Sequence, residues 1–218
     1  MISPDFVLLA VVISFVGVSF YARDTVRGLT EPNRVTWLLW TVAPLLAFIS
    51  EVRQGVGMTS LMTLAYALCP LVVLVASFVN TRSTWKLGPF DIGCGLASCG
   101  GLVLWLVTAN DTVALFSFIV ADLLAGLPTV LKSWRDPSTE SPSAFLGGTL
   151  STIVTLATVT TWTSAEVAFP VFVLAFNVVL LTLVAGRIGP RLRREPAPEA
   201  LAPVERVLGR VHSEVPDA

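Results

Sequence analysis

The sequence predicts an all-α polytopic membrane protein, with seven transmembrane helices in a 3+1+3 arrangement of two parallel repeats. Three observations lead there. Hydrophobic residues make up 54% of the 218 and charged residues only 13%, against roughly 25% charged in an average soluble domain. The charges are unevenly placed, with 18 in residues 1–186 and 11 in the last 32. The greasy part divides into seven apolar stretches, and the first three match the last three in order.

The stretches run over residues 4–22, 34–51, 58–80, 90–108, 111–133, 143–162 and 167–186. Each can cross about 30 Å of hydrocarbon as a helix rising roughly 1.5 Å per residue. Helices are expected because lipid offers no partner to bare backbone groups, and the ten-residue alternation of a membrane barrel is missing. Little room remains for a soluble domain, which argues against a soluble enzyme or a nucleic-acid binder. The net charge of −1 offers no handle to a polyanion. Cys69, Cys94 and Cys99 are odd in number and lie in apolar stretches, so they read as packing residues and not a disulfide framework.

The first stretch is not a signal peptide in pattern. Asp5 precedes it, and Arg23 and Arg27 follow it. With the N-terminus outside, the inside loops and tail hold Arg23, Arg27, Arg34, Arg82, Lys86, Lys132, Arg135, Arg187, Arg191, Arg193 and Arg194, and the outside loops hold Arg53 alone. That asymmetry predicts a multi-pass protein of the cell membrane with a cytoplasmic C-terminus. The tail, residues 189–218, is rich in Pro, Glu and Arg and reads as mostly disordered. Leu201, Val204, Val207, Leu208 and Val211 could form an apolar stripe on the membrane surface. His212, the one histidine, lies in this tail.

Residues 21–32, YARDTVRGLTEP, match residues 130–141, VLKSWRDPSTES, at an offset of 109. Arg23 falls on Lys132, Gly28 on Pro137, Thr30 on Thr139 and Glu31 on Glu140. Each segment is a basic exit from a span, a short turn, then Thr-Glu before the next span. The predicted units are a first three-helix bundle (1–81), a linker helix (82–109), a second three-helix bundle (110–188) and the tail.

With the 3+1+3 plan, Pro128 near the end of the fifth span and the KSWRDPSTES that follows, the chain resembles the PQ-loop superfamily, which includes the SWEET sugar transporters and the cystine exporter of lysosomes. The family's proline–glutamine pair is represented by Pro128-Thr129 in the second unit and by Ser19-Phe20 in the first. The proline tetrad of the sugar transporters is not reproduced, because the sixth span has no proline. The resemblance implies transport by rocking two three-helix bundles around a central pocket.

Asp122 is the sharpest functional signal. It lies eleven residues from either end of its span, roughly 16 Å from each boundary, where a charge costs about 2.5–3.5 kcal/mol to insert. It should face a cavity or a partner, as a protonatable coupling group or a contact for a substrate cation. Gly126 and Thr129 follow on the same face, and Pro128 frees the carbonyl of Leu124. Asn177, mid-span in the last helix, can donate and accept, and resembles a pocket asparagine of the sugar transporters. Trp40 could stack on a solute, whereas Trp37 reads as part of an interfacial aromatic belt. Pro44 and Pro70 would open the carbonyls of Trp40 and Tyr66 and kink their helices. Hydroxyls at Ser151, Thr155 and Thr158 either line a pathway or bond back to their own helix. Gly93, Ala97 and Gly101 form a small-residue ridge for close helix packing. Asp91, Glu51, Asp111 and Glu166 sit near span ends, where water would solvate them.

No HExxH, GxSxG or P-loop is present, so neither an enzyme nor a primary pump is expected, and no cofactor or metal is implied. The function expected is transport of a small polar solute such as a sugar or amino acid, driven by the solute's own gradient or by protons through Asp122. The rival is a receptor or interaction protein of the same shape, docking a partner through its Arg-rich tail. The lipid bilayer is the expected partner; nucleic acid is not, and a homo-oligomer stays open.

Overall fold

A computed structural model of the chain describes residues 3, 6–53, 60–79, 85–159 and 162–192. The tail residues Leu201, Val204, Val207, Leu208, Val211 and His212 lie outside the described residues, as do Arg82, Arg193 and Arg194. Among the described residues the fold is helical throughout: α1 Phe6–Val26, α2 Arg34–Arg53, α3 Ser60–Val79, α4 Pro89–Val107, α5 Asp111–Arg135, α6 Pro142–Thr158, α7 Ser164–Gly186 and a short α8 Ile188–Leu192. A single 3-10 turn, Pro137–Thr139, sits between α5 and α6.

Local chemistry sets the helix ends. Gly28, at φ 77°, closes α1, with Leu29 N bonding Asp24 O at 2.9 Å and Gly28 N bonding Thr25 O at 2.9 Å. This is a Schellman stop, which needs a left-handed residue at that position. Asn33 caps α2, its Oδ1 accepting from Val35 N and Thr36 N. Asn110 caps α5 in the same way through Val113 N. Pro89 and Pro142 start α4 and α6, where a missing N–H costs nothing.

Among the described residues four helices are long and apolar enough to cross a membrane: Phe6–Val26, Pro89–Val107, Thr112–Arg135 and Glu166–Gly186. Within α2 and α3, Arg34–Ile49 and Thr63–Val79 are shorter apolar stretches. Among the described residues a helix falls on each of the seven stretches expected from the sequence. The largest departure is α6, which ends at Thr158 after 17 residues, about 25 Å of helix, and is rich in hydroxyls. The molecule's outer face carries Leu8, Val12, Val75, Phe78, Leu96, Val103, Val107 and Val120 in exposed positions. An apolar exterior of this kind fits a protein embedded in lipid.

Helix α3 packs on α1 and α2, and α7 packs on α5 and α6. These triples meet where α1 lies along α6 and where α2 meets α5, while α4 packs on α5 and α2. The α1–α6 crossing is glycine on glycine. A Cβ on Gly17 would stand 2.6 Å from Ser143 O and 2.9 Å from Gly147 Cα, so no side chain fits there. The ridge expected on α4 is placed differently. Gly93 and Ala97 are exposed, and a Cβ on Gly93 meets nothing within 4 Å. The packing residues are Gly95, against Val35 of α2, together with Ser98 and Gly101, against Ala121 of α5. Gly93, Ala97 and Gly101 lie on one i, i+4 row, but of the three only Gly101 packs on a neighbouring helix, and the Gly93 and Ala97 part of the row is left exposed.

Candidate functional site: a cavity between the helix triples

A cavity of about 130 Å³ lies between the triples. It is lined from α1 by Val11, Ser14 and Val18, from α2 by Trp37, Trp40 and Pro44, and from α3 by Ala65, Tyr66, Cys69 and Pro70. Helix α6 adds Ala144, Phe145, Gly148 and Ser151, and α7 adds Phe169, Val173, Phe176 and Asn177. Asp122 is the contribution of α5, and α4 contributes none. Of the residues singled out in the sequence, Asp122, Asn177, Trp40, Pro44 and Pro70 thus meet at one hollow.

Two glycines shape this hollow. A Cβ on Gly126 would strike the rings of Phe176 and Trp40, so the bare backbone of α5 lets both rings seat beside Asp122. A Cβ on Gly148 would strike the Asn177 amide. That amide donates to Val173 O of its own helix at 2.9 Å, which leaves its oxygen as an acceptor. Among the described residues no donor bonds the Asp122 carboxylate, although its backbone carbonyl receives Trp40 Nε1 at 3.4 Å.

Aromatic rings form an arc around the cavity. Successive centroid distances are 5.0 Å for Tyr21–Trp37, 5.4 Å for Trp37–Trp40 and 5.8 Å for Trp40–Phe176. The arc continues through Phe172 and Phe169 to Tyr66 at 5.7, 6.2 and 6.4 Å. Trp37 is only 3% exposed. It belongs to this arc and not to an interfacial belt, because α2 starts with Asn33 and Arg34, polar residues that hold its first turn against α3 and α4.

One end of the cavity is sealed. It is the end carrying the α1–α2 and α5–α6 connections, called here the basic end. Below the floor of Val18, Trp37 and Phe145, Lys132 Nζ pairs with Glu140 Oε1 at 2.6 Å, both side chains fully buried. Tyr21 donates its hydroxyl to Glu140, and Lys132 donates to Glu31 O. Glu31 N bonds Thr139 O at 2.8 Å, and Ser141 donates to Asp24 at 2.9 Å. Thr36 donates to Ala125 O at 2.7 Å and receives Thr129 Oγ1 at 3.1 Å. Asn33 donates to Asp91 at 2.7 Å.

Several expectations are corrected at this end. Thr129 does not reach the cavity. It shares a face with Asp122 but lies seven residues on, about 10 Å deeper, where α2 closes over it. Pro128 is buried but does not line the cavity either. The α5 carbonyls that take donors from other helices are Ala121, Asp122 and Ala125, not Leu124. Lys132 is no solvated loop charge, and Asp91, 7% exposed, is held by Asn33 and by Gly88 N. On α6, Ser151 lines the cavity, whereas Thr149, Thr152, Thr155 and Thr158 bond back to Phe145, Gly148, Ser151 and Thr155 carbonyls.

Sequence reasoning missed Ser14, Tyr66, Gly148 and the Tyr21–Glu140–Lys132 cluster. The paired glycines 147–148 in mid-span were a readable sign of close approach. The cluster was hidden because its members are 119 and 8 residues apart and each looks like an ordinary boundary residue. In comparisons with known proteins, no family model, no curated protein and no solved structure matches the chain.

Proposed function

We propose that the chain is a membrane transporter that moves a small polar solute by alternating access, with a proton carried on Asp122 as the coupling ion. One observation carries the reading: a carboxylate that receives no donor among the described residues faces a hollow enclosed by six of the long helices and blocked at one end. A buried charge left unpaired is costly, and a site that a passing solute or proton occupies accounts for keeping it.

The seven-span, 3+1+3 organisation belongs to the same reading. It is supported by the pairing of α3 with α1 and α2, of α7 with α5 and α6, and by the peripheral place of α4. Under it, residues 1–81 and 110–188 rock about the cavity. The basic end is the cytoplasmic side of the cell membrane by the charge asymmetry of the loops, and the cavity is captured with that side closed. A likeness to the PQ-loop and SWEET superfamily rests on this plan and on the matched turns 21–32 and 130–141.

The test is uptake into proteoliposomes by wild type and Asp122→Asn. Proton-driven accumulation is expected to vanish in the variant while downhill flow persists. Accumulation unchanged in Asp122→Asn removes the coupling role, and no flux of any solute by wild type removes the transporter.

A further inference from the structure

We infer that the cavity selects a small organic cation, and that this cation and a proton displace one another at Asp122. The inference deepens the transporter reading and rests on it for the movement of the solute, though not for its binding.

The lining supplies negative potential and no positive charge. Among the described residues Asp122 is its one charged group, and no Lys, Arg or His lines the hollow. The buried lysine nearest in the fold, Lys132, is committed to Glu140 and to Glu31 O at the sealed end. Among the described residues no hydrogen bond or ion pair joins another charge of the packed helices to Asp122, and Arg53 at the end of α2, Arg187 after α7 and Arg191 of α8 stand exposed. Arg34 of α2 is held by Ser77, Asp91 of α4 by Asn33, and Glu166 stands exposed at the start of α7. The other titratable groups of the lining, Tyr66 and Cys69, are uncharged side chains near neutral pH. An anionic solute would meet a carboxylate with nothing to offset it. A zwitterion would find a charged partner for its ammonium and none for its carboxylate.

The rings add to the same preference. Trp37 and Trp40 meet at 85°, and Trp40 and Phe176 at 89°. Edge-to-face contacts leave ring faces uncovered by stacking, and a ring face attracts a cation, most strongly for tryptophan. The remaining polar complement is small: the hydroxyls of Ser14, Tyr66 and Ser151 on three different helices, and Asn177, which spends an amide hydrogen on Val173 O and offers its oxygen. A sugar, with a hydroxyl on nearly every carbon, would leave most of them unpaired against this wall. An organic cation with a small apolar body satisfies carboxylate, amide oxygen and rings together.

One carboxylate can be neutralised by one positive charge. With the solute bound, Asp122 is a carboxylate; with the solute gone, it takes up a proton. Binding of the cation therefore releases the proton, and carriage of the two in opposite directions follows without a further residue.

The experiment uses choline and its uncharged carbon isostere, 3,3-dimethylbutan-1-ol, on the purified full chain. Tryptophan fluorescence reads binding at Trp37 and Trp40, a pH dye in weak buffer reads proton release, and proteoliposomes read flux. Choline is expected to bind at least tenfold tighter than the isostere and to release a proton. Asp122→Asn should bring the two ligands within about twofold and abolish the release, and Trp40→Phe should weaken choline while keeping the release. Equal binding of the two ligands, or choline preference intact in Asp122→Asn, overturns the inference. Flux of a neutral solute that choline does not inhibit also overturns it while leaving the transporter standing. Choline binding with proton release but no flux upholds the site and removes the transporter.

Discussion

Two acids inside this protein sit in opposite circumstances. Glu140, in the turn before α6, has Lys132 at 2.6 Å and the Tyr21 hydroxyl. Asp122, eleven residues into α5, has no donor on its carboxylate among the described residues and a hollow in front of it. The first is the centre of a polar lock joining α1, the α1–α2 turn, α5 and the α5–α6 turn. The second stands where α2, α5 and α7 are kept apart by rings. Where a buried charge is paired the helices close, and where it is left open there is space. The difference lies in partners, since both acids are drawn from the same chemistry.

Removing a partner from the lock should have the largest effect. Lys132→Met leaves Glu140 buried and uncompensated, at an expected cost of about 3–5 kcal/mol. Unfolding of the detergent-solubilised protein checks this, and adding Glu140→Gln to the variant should recover part of the loss. A cost near zero would mean that the lock is wetter than its burial indicates.

Next in size is the α1–α6 crossing. Gly17→Ala forces a methyl into Ser143 O and Gly147 and is expected to cost about 1–3 kcal/mol by overpacking. The thermal midpoint should fall accordingly. An unchanged midpoint would show that α1 and α6 can part without loss, so that their tight contact is no constraint on the fold.

Asp122→Asn should go the other way. It exchanges an acid that no described protein group offsets for a neutral amide of the same shape, so stability should be unchanged or higher by roughly 1 kcal/mol, in contrast to Lys132→Met. A marked loss of stability would reveal a partner for Asp122 and erase the contrast between the two acids. The smallest effect is expected at Gly93. Gly93→Ala meets open space and should stabilise α4 by up to about 1 kcal/mol through helix propensity, while Gly101→Ala, its would-be counterpart, presses on Ala121 and should destabilise.

Much of the helical layout was legible from the residues. Asp122, Asn177 and Trp40 stood out because a polar group or a large amphipathic ring is conspicuous in an apolar stretch. Thr129 and Pro128 were grouped with them by helical spacing, and spacing says nothing of depth: Thr129 faces the same way as Asp122 but lies where α2 has already closed. Trp37 looked like a boundary residue by position, and the packing of Tyr21 against it makes it part of the cavity wall. Gly93 and Ala97 fitted a pattern that needs a partner helix, and α4 turns that face outward.

Composition and periodicity by themselves determined that this chain is helical and apolar, where its helices begin and end to within a turn or so, and which side chains would be expensive to bury. Those are local properties, fixed by each residue's cost of transfer and by its nearest neighbours in sequence. Only the tertiary structure decided which costly groups are paired and which are left facing a hollow. Pairing depends on contacts between residues a hundred or more positions apart, such as Tyr21 with Glu140 and Lys132 with Glu31, and on the glycines that let some helices touch while rings hold others apart.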